Sequence, residues 1–519
     1  MNPGSFITRN ACYHRDATAL MFRDSKMTYG DLESRTNRLV NALRTLRIRK
    51  GDRVAVQAKN RPEIVEVEIA CYKGGYVKVP INARYSVGET IKILNDSGTS
   101  VVIGDRVHLE PLMENKKKIK RALAFMDMDG DSKNSVGLEG LMLQESDECS
   151  IQEVVQEDLA VLAYSSGTSG ELKAIMQTFG NRMAMIRKAF MIPGVEITKD
   201  DVFAHVGPIT HASGMLIMPV MVASGCNLIL ETFNVQELLE VIERKQVNYT
   251  FLVPAMINMI LSHPNLNDYN MSSLKRIFYG AAPISSARIK EAIGRFGPIL
   301  VQGYGLTETT SFSTILTAGD HLQAIEDGHM ERLMSCGRPI FESELKIIDA
   351  EGKEVGPEEP GEIIIRGPDV MKGYYRKRRL TRAALHGGWL HTGDIARRDN
   401  EGYIYIVDRK NDMIISGGFN ISPSEVEQVL CNHHAVYEAC VIGVPDELWG
   451  EAVKAFVVLK KGHPVGTNEL IDYCGRHCAG FKKPRSMDFV DSLPKNPNGK
   501  VARHIIRKRF WDSEKRGVH

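Results

Sequence analysis

Up to about Met334 the chain alternates short β-branched runs with stretches of helical periodicity, and few architectures accommodate that alternation. Val54–Val56, Tyr76–Val79, Val101–Ile103, Asn227–Leu230 and Tyr249–Leu252 read as strands buried on both faces. Between such runs, Tyr29–Leu46 and Val235–Lys245 carry the apolar stripe of amphipathic helices. The pattern predicts an α/β fold with mostly parallel sheets covered by helices. After Met334 the texture changes to short strands with Gly, Pro, Asp and Asn turns: Glu344–Asp349, Gly361–Arg366 and Gly402–Asp408. These predict a small β-barrel-like subdomain. Beyond Asn411, helix and strand patterns follow one another closely, as in a small α+β domain. Ser422-Pro423 opens its first helix, with Glu425 and Glu427 close behind.

A chain of 519 residues is too long for one core. The expected division is a large domain over 1–408, with its β-rich part at 334–408, a hinge at 409–411, and a mobile domain over 412–519. Lys and Arg number 66 against 64 Asp and Glu, which leaves no net field to recruit nucleic acid. The basic runs Lys116–Lys118 and Arg507–Arg509 read as solvated faces. Nine scattered cysteines, of which only Cys474 and Cys478 lie close, lack the paired spacing of a zinc site and suit reduced thiols. Met215–Ala223 and Phe251–Leu261 are too short to span a bilayer, and the start lacks a signal-peptide pattern, so a cytoplasmic protein is expected.

Chemistry concentrates in five segments. Tyr164-Ser-Ser-Gly-Thr-Ser-Gly-Glu-Leu-Lys173 follows a strand-like run and places four Ser/Thr hydroxyls and two glycines before a lysine. Backbone N–H groups, hydroxyls and an ammonium together suit a polyphosphate, although no Gly-Lys-Ser/Thr triplet of the Walker type closes the loop. The second segment is Gln302-Gly-Tyr-Gly-Leu-Thr-Glu308, preceded by Gly280-Ala-Ala-Pro283. The others are Trp389-Leu-His-Thr-Gly-Asp394, the stretch from Gly402 through Asp408-Arg409-Lys410 to Ser416-Gly-Gly-Phe-Asn-Ile-Ser-Pro-Ser-Glu425, and Pro494-Lys-Asn-Pro-Asn-Gly-Lys500.

In order and spacing these segments resemble the core motifs of the adenylate-forming superfamily, in its acyl- and aryl-CoA synthetase branch. The resemblance runs from Thr28-Tyr29 to Arg503. It implies that a carboxylic acid is activated by ATP to an acyl adenylate with release of pyrophosphate, then transferred to coenzyme A. The roles carried over are these. Ser165, Ser166, Gly167, Thr168, Ser169, Gly170 and Lys173 would hold the β- and γ-phosphates. Tyr304 would stack on adenine, with Gly280, Ala281, Ala282 and Pro283 on the other side and Gln302, Gly303 and Gly305 shaping the turn. Thr307 would bond the α-phosphate and Glu308 would ligate Mg²⁺, a cation that prefers carboxylate oxygen. Asp394 would accept the ribose hydroxyls, and Arg409 would reach ribose and phosphate from the hinge.

Lys500 would bridge the carboxylate and the α-phosphate during adenylation. The small domain would then swing, bringing Gly417 and Gly418 to the site so that pantetheine can pass close to the backbone. Arg84, Trp449, Phe481 and Lys483 match positions that hold the CoA nucleotide. His211 would gate or line the acyl pocket, with the small residues Ala212, Ser213, Gly214 and Ala281 in its wall and Gly303, Thr309 and Phe312 nearby. No cation is evident there for a second carboxylate, so an apolar monocarboxylic acid is expected: medium- to long-chain aliphatic first, alicyclic or aromatic second.

The sequence departs from the commonest pattern at Ser169, Ala174, Gln177 (where histidine is frequent) and hinge Asn411. The rivals are an enzyme that loads a carrier protein, a luciferase-like oxidative activity, and an ATP-binding regulator without turnover. Joint presence of Lys173, Glu308 and Lys500 argues against the last. A monomer and a homodimer are equally compatible with the sequence.

Overall fold

The computed structural model describes residues 1–132, 135–166, 172–282, 284–409, 412–416, 419–446, 449–496 and 499–511. The fold is α/β: a large N-terminal domain of mostly parallel sheets and a small C-terminal domain. One sheet has six parallel strands, ordered Thr18–Phe22, Cys226–Ile229, Val202–His205, Tyr249–Leu252, Arg276–Gly280 and Leu300–Tyr304, with antiparallel strands at both edges. A second sheet runs Gly373–Tyr374, Leu172–Thr178, Leu159–Ser166, Val77–Pro80, Arg53–Gln57, Val101–Gly104, Ala124–Asp127 and Val136–Gly137, parallel from Leu159–Ser166 onward. Helices such as Tyr29–Thr45 and Val87–Ser97 pack between and over these sheets. Each starts at a reciprocal cap, Thr28 with Asp31 and Ser86 with Glu89.

The β-rich part consists of Glu344–Ile348, Gly361–Arg366, Trp389–Arg398, Leu385–His386 and Ile404–Arg409, all antiparallel. In the C-terminal domain, antiparallel Ile414–Ser416, Phe419–Ile421, Gly450–Leu459 and Val436–Asp446 are joined by a parallel strand, Ser486–Phe489. The helices Pro423–Cys431, Thr467–His477 and Arg503–Trp511 complete it. Ser422 caps the first of these by accepting from the Glu425 N–H at 3.3 Å.

All nine cysteines are free, and five of them, Cys71, Cys226, Cys336, Cys440 and Cys474, are buried. No helix among the described residues is long and apolar enough to cross a membrane.

Candidate functional site

Two neighbouring parallel strands fix the centre of the site. Arg276–Gly280 and Leu300–Tyr304 pair in register, with Gly280 opposite Gly303, so the Gly280–Ala282 and Gly303–Glu308 segments leave the sheet side by side at its C-terminal edge. The backbones approach too closely for side chains. A Cβ at position 280 would lie 2.3 Å from the Gly303 carbonyl oxygen, and one at 303 would lie 2.3 Å from the Phe312 ring. Just beyond, Ala281 (φ +70°) and Thr310 (φ +57°) sit in the left-handed region. For residues with a Cβ this costs on the order of 1 kcal/mol each, and such strain collects at ligand-binding loops.

Around this edge the candidate nucleotide residues converge. The Tyr304 hydroxyl donates to Asp394 Oδ2 at 2.6 Å, and Asp394 is only 2% exposed. Asp394 lies opposite Arg409 on adjacent strands. The Tyr374 hydroxyl donates to Glu308 Oε1 at 2.9 Å, and the Lys173 ammonium stands 5.6 Å from the centre of the Tyr374 ring. Lys173 and Glu308 are thereby drawn to one aromatic residue that the sequence reading did not single out. Ser165 and Ser166 pair with Lys173 and Leu172 across a hairpin. Gly167, Thr168, Ser169 and Gly170 at its tip lie outside the described residues, as do Pro283, Gly417, Gly418 and Asn411.

His211 and Lys500 lie 289 residues apart in the chain, yet the lysine's charge reaches the imidazole. Burial first, and the Lys500 charge second, push the His211 imidazole down to about 4, so it is neutral at pH 7. The charge of Lys500 is thus felt at His211. The Lys500 loop is a tight turn: Asn496 donates its N–H to the Lys500 carbonyl at 2.8 Å, and Asn496 Oδ1 accepts from the Lys500 N–H at 3.0 Å. Gly499 takes a φ of +81° in this turn, which a Cβ would disfavour.

Beside His211, Phe312 stacks with Phe251 and Phe278 at 6.4 and 6.5 Å between ring centres. Ser213 Oγ is buried here without a hydrogen-bond partner among the described residues. Thr309 turns inward instead: its hydroxyl donates within its own turn, to the Leu306 and Ser311 carbonyls, each at 3.0 Å. Behind Phe312 a small cavity is bordered by Met185, Ala189, Met215 and Ile340, and also by Lys188. Lys188 pairs with Asp369 at 2.6 Å, both almost fully buried. Nothing in the periodicity of this helix separates that lysine from a solvated one.

The four residues expected at the CoA nucleotide fall into two places. Arg84 is exposed on the large domain. On the small domain, Trp449 (39% exposed) and Phe481 (44% exposed) face solvent rather than a core. Arg485 lies over the Trp449 ring at 5.2 Å, and Lys483 pairs with Asp472 at 3.0 Å. Gly450 pairs with Ser416, so Trp449 stands next to the strand that leads into Gly417-Gly418.

Comparison with known proteins identifies the family. The AMP-binding enzyme family matches residues 7–375, and the AMP-binding enzyme C-terminal domain matches 425–500. A feruloyl-CoA synthase from Amycolatopsis is 34% identical over 512 residues, covering 98% of this chain and 99% of that protein. The medium/long-chain-fatty-acid–CoA ligase FadD8 of Mycobacterium tuberculosis is 33% identical over 529 residues, covering 97% of this chain and 89% of that protein. The solved structure of the o-succinylbenzoate coenzyme A synthetase of Bacillus subtilis with AMP is 30% identical, with a TM-score of 0.85 over 99% of each chain. These relatives share a reaction and differ in the acid. The chain belongs to the AMP-binding enzyme family, in the CoA-ligase branch of the adenylate-forming superfamily, and is an AMP-forming acid–thiol ligase.

Proposed function

We propose that the protein joins an apolar monocarboxylic acid to coenzyme A, with the residues above in the following roles. A carboxylate oxygen attacks the α-phosphorus of ATP and pyrophosphate leaves; the CoA thiolate then attacks the acyl carbon and AMP leaves. The first step asks mainly for orientation and for positive charge beside the phosphorus. Tyr304 and Asp394, already hydrogen-bonded, hold the nucleoside. Thr307 and Lys173 hold the phosphates, and Lys500 holds the carboxylate against the α-phosphate. A neutral His211 adds no second cation to compete for the carboxylate.

Mg²⁺ fits the donor set. No cluster of three or more metal-ligating side chains exists among the described residues, which suits an ion that keeps its waters and uses one carboxylate plus phosphate oxygens. Glu308 is that carboxylate; Tyr374 takes one of its oxygens and the other has no protein partner among the described residues. When bound, the ion would neutralise phosphate charge. Trp449, Phe481, Lys483 and Arg84 are assigned to the CoA nucleotide. The division at 408–412 is kept as the working boundary about which the small domain turns.

The observation that carries the reading is the 2.6 Å hydrogen bond from Tyr304 to Asp394, at the edge where Gly280 and Gly303 pair, since it joins three of the sequence motifs at one point. For the acid, Phe312 closes the pocket on the Gly303 side. This favours compact acyl groups, medium-chain aliphatic or aryl, and a long chain needs Phe312 to swing toward the cavity behind it. The names of the fatty-acid and feruloyl relatives support both classes. A pyrophosphate-release screen of aliphatic and aryl acids, with and without CoA, tests the proposal. Release that yields an acyl-CoA is expected. Pyrophosphate release without a CoA thioester would overturn it in favour of a carrier-loading or oxidative enzyme.

A further inference from the structure

A buried polar chain leads from the second sheet to the backbone of Thr307. Gln177 donates from Nε2 to the Thr307 carbonyl at 3.1 Å, and its Oε1 accepts from Arg182 at 3.4 Å. Arg182 also donates to the Tyr72 hydroxyl at 2.8 Å and to Glu68 Oε1 at 2.9 Å. Lys78 donates to the other Glu68 oxygen at 2.5 Å. Gln177, Arg182, Glu68 and Lys78 are 4, 9, 5 and 3% exposed. Burial opposes the Glu68 charge, but Lys78 and Arg182 outweigh it and bring that carboxyl down to about 2.

The geometry fixes polarity as well as position. A side-chain amide can turn over at little cost, and then its NH₂ would face the guanidinium and its oxygen would face the Thr307 carbonyl. Arg182 forbids that orientation, since it has donors only. Glu68, Lys78 and Tyr72 in turn hold Arg182. The next residue is held from the opposite side, where Met371 donates its N–H to the Glu308 carbonyl at 2.7 Å. Thr307-Glu308 is therefore clamped between a buried charged network and the Gly367–Tyr374 connection.

We infer that Gln177, oriented by the Arg182–Glu68–Lys78 cluster, is a positioning residue for the adenylation step, setting the direction of Thr307 and Glu308 toward the phosphates. The inference rests on the roles proposed for those two residues. A network that served stability alone would affect both half-reactions through the folded fraction. A positioning network affects the first more than the second, because the β- and γ-phosphates and the ion at Glu308 take part only there, whereas the adenylate keeps the α-phosphate that Thr307 bonds.

The test uses full-length Gln177→Leu, close to isosteric but without the donor, and Gln177→Glu, which turns an acceptor toward the Thr307 carbonyl. Adenylation and thioester formation from supplied acyl adenylate are measured separately, with thermal midpoints, and Thr307→Ala as reference. Gln177→Leu should lower adenylation kcat about tenfold, with a larger loss in Gln177→Glu, while KM for the acid stays near wild type and the second half-reaction falls by clearly less. Adenylation at the wild-type rate in Gln177→Leu, or equal loss in both half-reactions, would overturn the inference while a slow Thr307→Ala leaves the site roles standing. Wild-type adenylation in Thr307→Ala would remove the inference together with those roles.

Discussion

Phe312 occupies the volume that a side chain at position 303 would need, and its ring is held by Phe251 and Phe278. On the proposed reading, an acyl group would meet this aromatic wall, which is backed by a small cavity. Replacing Phe312 by Leu shortens the wall without removing it and should cost little stability. The ratio of kcat/KM for long over short aliphatic acids should rise by roughly tenfold, the scale at which apolar pockets discriminate by chain size. An unchanged ratio over a series of chain lengths would place the acyl group elsewhere.

At the proposed domain boundary, helix Arg503–Trp511 carries a cluster of ion pairs. Arg503 lies 3.6 Å from Asp408, near the end of strand Ile404–Arg409, and 3.5 Å from Asp412 just past the proposed hinge. It also pairs with Glu427 of helix Pro423–Cys431. Ser422 ties the same helix back, donating to the Val407 carbonyl at 2.7 Å and to Asp408 at 3.0 Å. Removing Arg503 leaves three carboxylates without their shared cation, so Arg503→Met should lose roughly 3–5 kcal/mol in denaturant unfolding of the small domain. A loss under about 1 kcal/mol would mean that the cluster acts as a surface pair.

At this scale the sequence was readable in part. The helix Val235–Lys245 and the strands Gly361–Arg366 and Tyr249–Leu252 follow from periodicity, because burial imposes the period directly. Motif order brought together Tyr304 with Asp394 and Lys173 with Glu308. The Gln177–Arg182–Glu68 chain and the Lys188–Asp369 pair were not legible. A buried charge pattern has no period, and its partners meet only when two sheets are stacked. Tyr374 escaped for a related reason, as its hydroxyl points at Glu308 from a two-residue strand that carries no signature of its own.

Taken over the whole molecule, three neutral imidazoles, two of them fully buried, set the acid limit of the fold. His205, His211 and His321 are each pushed down to about 4 by burial, with the Lys500 charge adding to the effect at His211. His321 shows the neutral form, its Nδ1 donating to the Thr317 carbonyl at 2.7 Å and its Nε2 accepting from Tyr279 at 2.8 Å. Between pH 6.5 and 4 the unfolded chain binds protons on these residues that the folded chain refuses. Their contribution is thus complete above pH 6.5 and lost as pH falls toward 4, by roughly 3 kcal/mol for each of the fully buried His205 and His321. Glu427 works in the opposite sense. Burial outweighs Arg503 and lifts it from 4.5 to about 7, so its stabilising proton is lost as pH rises through that window. Glu66, raised by burial, acts in the same sense as Glu427. The histidine shifts are expected to prevail, so that stability rises with pH from 4 to 6.5 in denaturant titrations; a flat profile would contradict the neutral histidines.

The proposed reaction depends on both domains meeting at one point, with the nucleotide held at the sheet edge and Lys500 carried in by the small domain. Lys500→Ala, assayed by single-turnover formation of acyl adenylate and by thioester formation from supplied adenylate, tests this most directly. The account predicts a loss of roughly 100- to 1,000-fold in the first and near-normal rates in the second, with an unchanged thermal midpoint. Adenylate formation at the wild-type rate by a folded Lys500→Ala protein would contradict it.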